Sequence, residues 1–280
     1  MSTEVVAKIM SLVSEDTDIC AIRDSIEQSY EKIKTKRMFP VSIEVNNLIN
    51  NYSPVLPYSL KSDDVFGITF GIEKEVYSYQ GFFNEAYLDY FKYTKEAFEI
   101  GKKTCKEDVR IKEISVAISE VLKSYDNYIS PVRNISGFMI SDSKTVIPNV
   151  ISNNVEMQDY NSLDTKIKKD ESYFICVYTA NVINEDLRGV FYKNPSFYYR
   201  TDKKRELKSK RERLLLNLVT EFGVGNIFSF HDLIQKCKAK EYTKKIFGDL
   251  ISYRLVEPIY GLMLPDSSVK VFRYGETIHI

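Results

Sequence analysis

The chain has 280 residues, 44% of them hydrophobic, enough for one large core or a core with an insertion. Lys plus Arg (39) equals Asp plus Glu (39), so no global charge calls for a polyanion and any such contact must come from a local cluster. Four separated cysteines and two histidines, His231 and His279, argue against a structural zinc site. No apolar run reaches the ~20 residues of a membrane helix, and the N-terminus carries no secretory pattern, so a soluble intracellular protein with reduced thiols is expected.

Residues 3–13 read as a short helix. A second should start after Asp16 or Thr17 as cap, with Ile19, Ile22, Ile26, Tyr30 and Ile33 on one face. Residues 39–54 are extended because Pro40 and Pro54 stop a helix. Val65–Ile72 and residues 76–83, β-branched and aromatic, read as paired strands. Helical spacing returns over 85–103 and 109–125, the latter behind a cap at Asp108. Residues 141–170 are polar, with loops and short strands, and Ser172–Ala180 is another strand.

A long basic helix is expected over 203–222, with Leu207, Leu214 and Leu218 turned to the core. Helices follow at 230–239 and 241–254, then a turn and a closing strand at 270–280. The order is mixed α/β with a helical segment before the last strand. His231-Asp232 reads as a solvated helix start, Asp63-Asp64 as a turn, and Cys176 as a buried thiol. Gly223-Val224-Gly225 lacks the Lys and Ser/Thr of a phosphate-binding loop.

The segment Phe39-Pro40, Val45-Asn46-Asn47 and Asn51-Tyr52-Ser53-Pro54 resembles the signature of type 2 methionine aminopeptidases and their non-peptidase relatives. Asp64-Val65-Phe66-Gly67-Ile68-Thr69-Phe70-Gly71, Asp108-Val109-Arg110, Pro131-Val132-Arg133-Asn134-Ile135-Ser136-Gly137 and Glu171-Ser172-Tyr173-Phe174-Ile175 are similar to further family segments in the same order. Phe191-Tyr192-Lys193-Asn194-Pro195 is similar to the proliferation-associated and fungal ribosome-export branch. The resemblance implies a pita-bread fold: a core over 1–195, completed by 262–280, and a helical insertion over 196–261 of the type 2 kind.

The peptidases hold two metal ions with two aspartates, a histidine and two glutamates, and use a further histidine in catalysis. Carried over by resemblance, the catalytic histidine is Asn51, and the ligands are Thr69, Gln80, Phe138, Cys176 and Arg273, with Glu276 the alternative at the last position. Such residues offer too little negative charge for two adjacent cations. The expectation is a pseudo-peptidase with no metal, cofactor or small-molecule substrate. Arg273 is expected to enter the vacated pocket, with Gln80, Thr69 or a backbone carbonyl as acceptor.

Residues 200–213 carry eight basic side chains against three acidic ones, Asp202, Glu206 and Glu212. A solvated helix face is the ordinary explanation of such a run. Lying in the insertion of an otherwise neutral chain, Tyr199, Arg200, Lys203, Lys204, Arg205, Lys208, Lys210 and Arg211 are candidates for RNA contact. Cations meet phosphates there, and Tyr198 or Tyr199 could stack on bases. By resemblance the partner is the large ribosomal subunit, its RNA and exit-tunnel proteins. The role is in subunit biogenesis, nuclear export or ribosome association, in cytoplasm and nucleus, as a monomer away from membranes. A histone-chaperone-type module and a metal-free peptide-binding protein are the alternatives.

Overall fold

The computed structural model describes residues 11, 13–33, 37–54, 56–72, 75–132, 136–140, 145–152, 165–183, 187–222, 227–237 and 240–280. The expected first helix falls almost wholly outside the described residues, as does the 223–225 tripeptide. The first half contains helix α1 (Ile19–Ile33), strands β1 (Arg37–Val45), β2 (Leu48–Asn50), β3 (Val65–Ile72) and β4 (Glu75–Phe82), and helices α2 (Leu88–Thr104) and α3 (Ile111–Lys123). Strands β5 (Ser130–Pro131), β6 (Ser136–Ile140), β7 (Thr145–Ser152), β8 (Ser172–Ala180), β9 (Val190–Phe191) and β10 (Phe197–Arg200) follow. Then come helix α4 (Lys210–Glu221), strand β11 (Ile227–Ser229), helices α5 (Phe230–Lys236) and α6 (Lys240–Ser252), and strands β12 (Val256–Ile259), β13 (Leu262–Met263) and β14 (Val271–His279).

An antiparallel sheet runs β1-β3-β4-β14-β8-β6-β7, with β5 added on β8. Alternation along its strands separates two faces. On one, Phe66, Ile68, Phe70 and Ile72 of β3 pack with Ile19, Ile22 and Ile26 of α1. On the same side, Tyr173, Ile175 and Val177 of β8 meet Ala97 and Phe98 of α2 and Ile114, Ile118 and Leu122 of α3. Burying such a side chain contributes roughly 1.5–3 kcal/mol, so the helical layer holds this face firmly. The opposite face carries Gly67 and Thr69 of β3 and Phe174, Cys176 and Tyr178 of β8.

The motif asparagines tie distant strands together. Asn46, at φ +55°, donates to Asp64 at 2.7 Å and accepts from the Val65 amide at 3.1 Å and Lys270 Nζ at 3.0 Å. Asn47 donates to the Leu264 carbonyl at 2.7 Å. The side chain of Asp64 is buried in this knot, also accepting from the Tyr58 hydroxyl. The turn reading of Asp63-Asp64 therefore holds with an added duty.

Several local expectations change. Helix α1 is capped by Asp18, whose Oδ1 accepts from the Cys20 amide at 3.0 Å, rather than by Asp16 or Thr17. Asp108 occupies a left-handed turn, φ +66°, and the capping bond before α3 runs from the Arg110 amide to Glu113. The expected helix over 203–222 is confined to α4. Ser209 ends the extended stretch before it: its Oγ accepts from the Arg211 amide, and Glu212 accepts from the Ser209 amide at 3.1 Å. This Ser-x-x-Glu box is a strong helix start. Leu207 is buried from the extended segment, while Leu214 is 55% exposed and lies outside the core.

Strands β11, β10 and β12 form a second, three-stranded sheet. With α4, α5 and α6 it encloses its own core of Tyr198, Leu215, Val219, Phe228, Leu233, Phe247 and Leu250.

Candidate functional site: a closed sheet face and a basic edge

Strand register decides which side chains can converge. Glu44 pairs with Gly67 and Gly67 with Gln80, while Arg273 pairs with Tyr178. The β4–β14 pairing of Ser78 with Gly275 places Arg273 beside Gln80, completing a row Glu44–Gly67–Gln80–Arg273–Tyr178. The neighbouring row is Ser42–Thr69–Ser78–Gly275–Cys176. Rows on one face are roughly 6.6–6.8 Å apart, two residues along each strand.

The candidate positions therefore divide. Thr69 and Cys176 share one row, Gln80 and Arg273 the next. The row neighbours of Thr69 and Cys176 are Ser78 and Gly275, while Gln80 and Arg273 lie one row further along the same face. The cause is the β3–β4 hairpin, whose pairing sets Thr69 opposite Ser78, and their hydroxyls are 3.1 Å apart. Asn51 lies apart from both rows, in the turn after β2 at φ +54°. The backbone of Phe138 pairs with Phe174, and its side chain lies outside the described residues.

Arg273, 1% exposed, turns inward to an acceptor the sequence reading missed. Its Nη1 donates to Glu44 Oε2 at 2.5 Å and to the Ile49 carbonyl at 2.9 Å, and Nη2 donates to the Leu48 carbonyl at 3.2 Å. Gln80 Oε1 instead accepts from the backbone amide of Arg273 at 2.7 Å, and Thr69 is engaged by Ser78. Ser42 donates its hydroxyl to Glu44. Burial pushes the Glu44 carboxyl up, and the Arg273 guanidinium opposes that shift. The signal for Glu44 lay in β1 itself: Ser42 and Glu44 alternate with Val41, Ile43 and Val45, placing a carboxylate on a buried face.

Gly67 lets the guanidinium lie across the sheet. A Cβ there would stand 2.3 Å from Arg273 Nε. Next to it, Cys176 is buried, and burial pushes its thiol up to about 11, so the neutral thiol dominates at neutral pH. Glu44, Thr69, Ser78, Cys176, Tyr178 and Arg273 are all buried. This face has a charge pair where a pocket would need solvent access.

The basic stretch has the opposite character. Lys203, Lys204, Arg205, Lys208, Lys210 and Arg211 are exposed. Lys203 Nζ lies 4.0 Å from Glu257, a weak surface pair, and Arg205 stacks over the Tyr253 ring at 3.8 Å. Tyr199 and Arg200 serve the frame. The Tyr199 hydroxyl donates to Glu257, which with burial pushes its pKa up to about 12, and Arg200 Nε donates to Thr220 at 2.9 Å. Tyr198 is buried against Phe228, Phe230 and Phe247, so it has no face to offer a base. Arg254, exposed at φ +56°, is a further cation at this edge that the sequence did not single out; its carbonyl accepts from Thr201 at 2.7 Å.

The described half-and-half sheet with its helical layer is the pita-bread fold. A thermophilic Arx1 matches 99% of this chain and 84% of its own, with a TM-score of 0.74 at 14% identity. Methionine aminopeptidase from Rickettsia prowazekii matches 68% of this chain and 78% of its own, with a TM-score of 0.57 at 14% identity.

In sequence the chain is similar to methionine aminopeptidases. Methionine aminopeptidase 2-1 of Chaetomium globosum is 32% identical over 124 residues, which are 39% of this chain and 28% of the fungal protein. Methionine aminopeptidase of Thermococcus onnurineus is 24% identical over 165 residues, 54% of each chain. The chain thus matches about a quarter to a half of these relatives' length. No family profile matches it.

Proposed function

We propose that this chain is a catalytically inactive aminopeptidase-like protein that binds the large ribosomal subunit near the peptide exit tunnel. It acts in subunit biogenesis and export or as a ribosome-associated factor, in cytoplasm and nucleus. The observation that carries the reading is the contrast just described: the sheet face is filled by Arg273 and Glu44, while Lys203, Lys204, Arg205, Lys208, Lys210 and Arg211 project from the insertion. The likeness to Arx1 over nearly the whole chain supports the non-peptidase side of the resemblance. Burial of Glu44, Cys176, Tyr178 and Arg273 weighs against a peptide-binding cleft on that face.

Exposed cations on one edge suit phosphates, with counterion release supplying the affinity. Affinity should then fall with salt, with a log–log slope of about 0.9 per phosphate contact on a duplex and about 0.7 on a single strand. The test replaces Lys203, Lys204, Arg205, Lys208, Lys210 and Arg211 by Ala and follows co-sedimentation with purified large subunits from low to high salt. Reduced binding with a flattened salt dependence is expected. Parental sedimentation would place the interface elsewhere and return the charge run to an ordinary solvated surface.

A further inference from the structure

Outside both regions, helix α1 of the core and helix α5 of the insertion meet through polar side chains. Asp24 and Glu27, three residues apart, share a face of α1, and His231 and Gln235, four apart, share a face of α5. His231 Nε2 lies 3.4 Å from Glu27 Oε2 and 3.9 Å from Asp24 Oδ1. One ligating atom from each of the three residues falls within 4.8 Å of the others. We propose that Asp24, Glu27 and His231 bind one divalent transition-metal ion of the zinc type, bridging the core to the insertion.

The proton inventory supports a metal here. The Gln235 side-chain nitrogen is 2.7 Å from His231 Nε2. With that nitrogen as donor, Nε2 accepts and the ring proton sits on Nδ1. That is a metal-ligating form of histidine, and an ion at Nε2 would displace the Gln235 contact, because the nitrogen has one lone pair.

The distances are suitable as well. Zinc bonds of about 2.0–2.1 Å at tetrahedral angles put ligand atoms roughly 3.3 Å apart; the His231–Glu27 separation is 3.4 Å. The His231–Asp24 separation of 3.9 Å is longer, and the three ligand atoms lie within 4.8 Å of one another, so Asp24 moves inward on binding.

The surroundings resemble a supported site. Arg23 donates to Asp24 Oδ1 from Nε at 2.9 Å and Nη2 at 2.7 Å, fixing the carboxylate as outer partners of metal ligands do. Glu27 is buried and Asp24 about half exposed, so the site has an anchored end and an open one. The scarcity of histidine excludes Cys/His zinc sites but leaves a carboxylate-rich one possible, since that needs a single imidazole.

The test is a titration of the metal-free full chain with cobalt(II), read by visible absorbance and by calorimetry, followed by zinc competition. One equivalent per chain is expected, displaced by zinc. His231→Ala should abolish saturable binding, and Asp24→Asn should weaken it by about tenfold or more. His279→Ala and Thr69→Ala should bind as the parent does, which separates this site from the sheet face. Absence of saturable binding in the parent, or unchanged binding in His231→Ala, overturns the proposal. Should His231→Ala fail to fold by circular dichroism, unchanged affinity in the half-exposed Asp24→Asn variant overturns it equally.

Discussion

The sheet face and the basic edge each hold charge, under opposite physical regimes. At the face, Glu44 and Arg273 are each 1% exposed, and removing one partner leaves the other uncompensated in a poorly solvated interior. At the edge, Lys204 and Lys208 stand in water, where each charge contributes little to folding and remains available to a partner. The first arrangement spends charge on structure, the second leaves it in solvent. Mutations should therefore separate stability from association cleanly.

The largest effect is expected from Arg273→Ala, which strands Glu44 and should cost about 3–5 kcal/mol in urea unfolding. Replacing both partners, Glu44→Leu with Arg273→Met, should recover most of that loss, because the pair's desolvation cost disappears with it. A double variant as unstable as the single would show that the face depends on the hydrogen bonds to Leu48 and Ile49 rather than on the charges. Gly67→Ala comes next. Its methyl group meets the guanidinium, and overpacking of this kind costs roughly 1–3 kcal/mol.

Ser209→Ala moves the comparison to the three-stranded sheet and its helices. Loss of the α4 cap should cost about 0.5–2 kcal/mol, and loss well above that would mean that the extended segment around Leu207 unravels too. A smaller effect distinguishes the tyrosines beneath the edge. Tyr198 and Tyr199 are raised from 10 to about 12, by burial and by the bond to Glu257 respectively. A raised folded pKa contributes stability that is present below pH 10 and lost as pH climbs towards 12. Tyr199→Phe should make that alkaline decline shallower while leaving neutral stability within about 1 kcal/mol. Smallest of all, Lys204→Ala or Lys208→Ala should change stability by less than about 0.5 kcal/mol; a larger loss from either would mean that the edge is structural after all.

Legibility followed locality. The 3–4 spacing of Ile19, Ile22 and Ile26 and the nearly continuous apolar run of Ser172–Ala180 identified elements whose core positions are buried. Local patterns carry such information because each residue's face is fixed by its neighbours. The Arg273–Glu44 pair joins residues 229 apart, and no local pattern announces it. An inward Arg273 followed from the family resemblance, but its counter-charge needed the register across four strands. The same register sets Ser78 and Gly275 in the row of Thr69 and Cys176. Over residues 203–209 the error was different: charged residues with good helix propensity read as helix, while Ser209 and Glu212 already marked where the helix begins.

Arg273 lying on Gly67 also bears on the order in which this chain can change. A carboxylate introduced at Ser78 or Gly275 would face a guanidinium one row away and pair with it instead of collecting cations. Arg273 cannot be removed first without stranding Glu44, and Glu44 cannot be removed first without stranding Arg273. A bulkier residue at Gly67 is blocked while either arrangement persists. The five positions are therefore epistatic, and replacing them runs through unstable intermediates unless several substitutions arrive together.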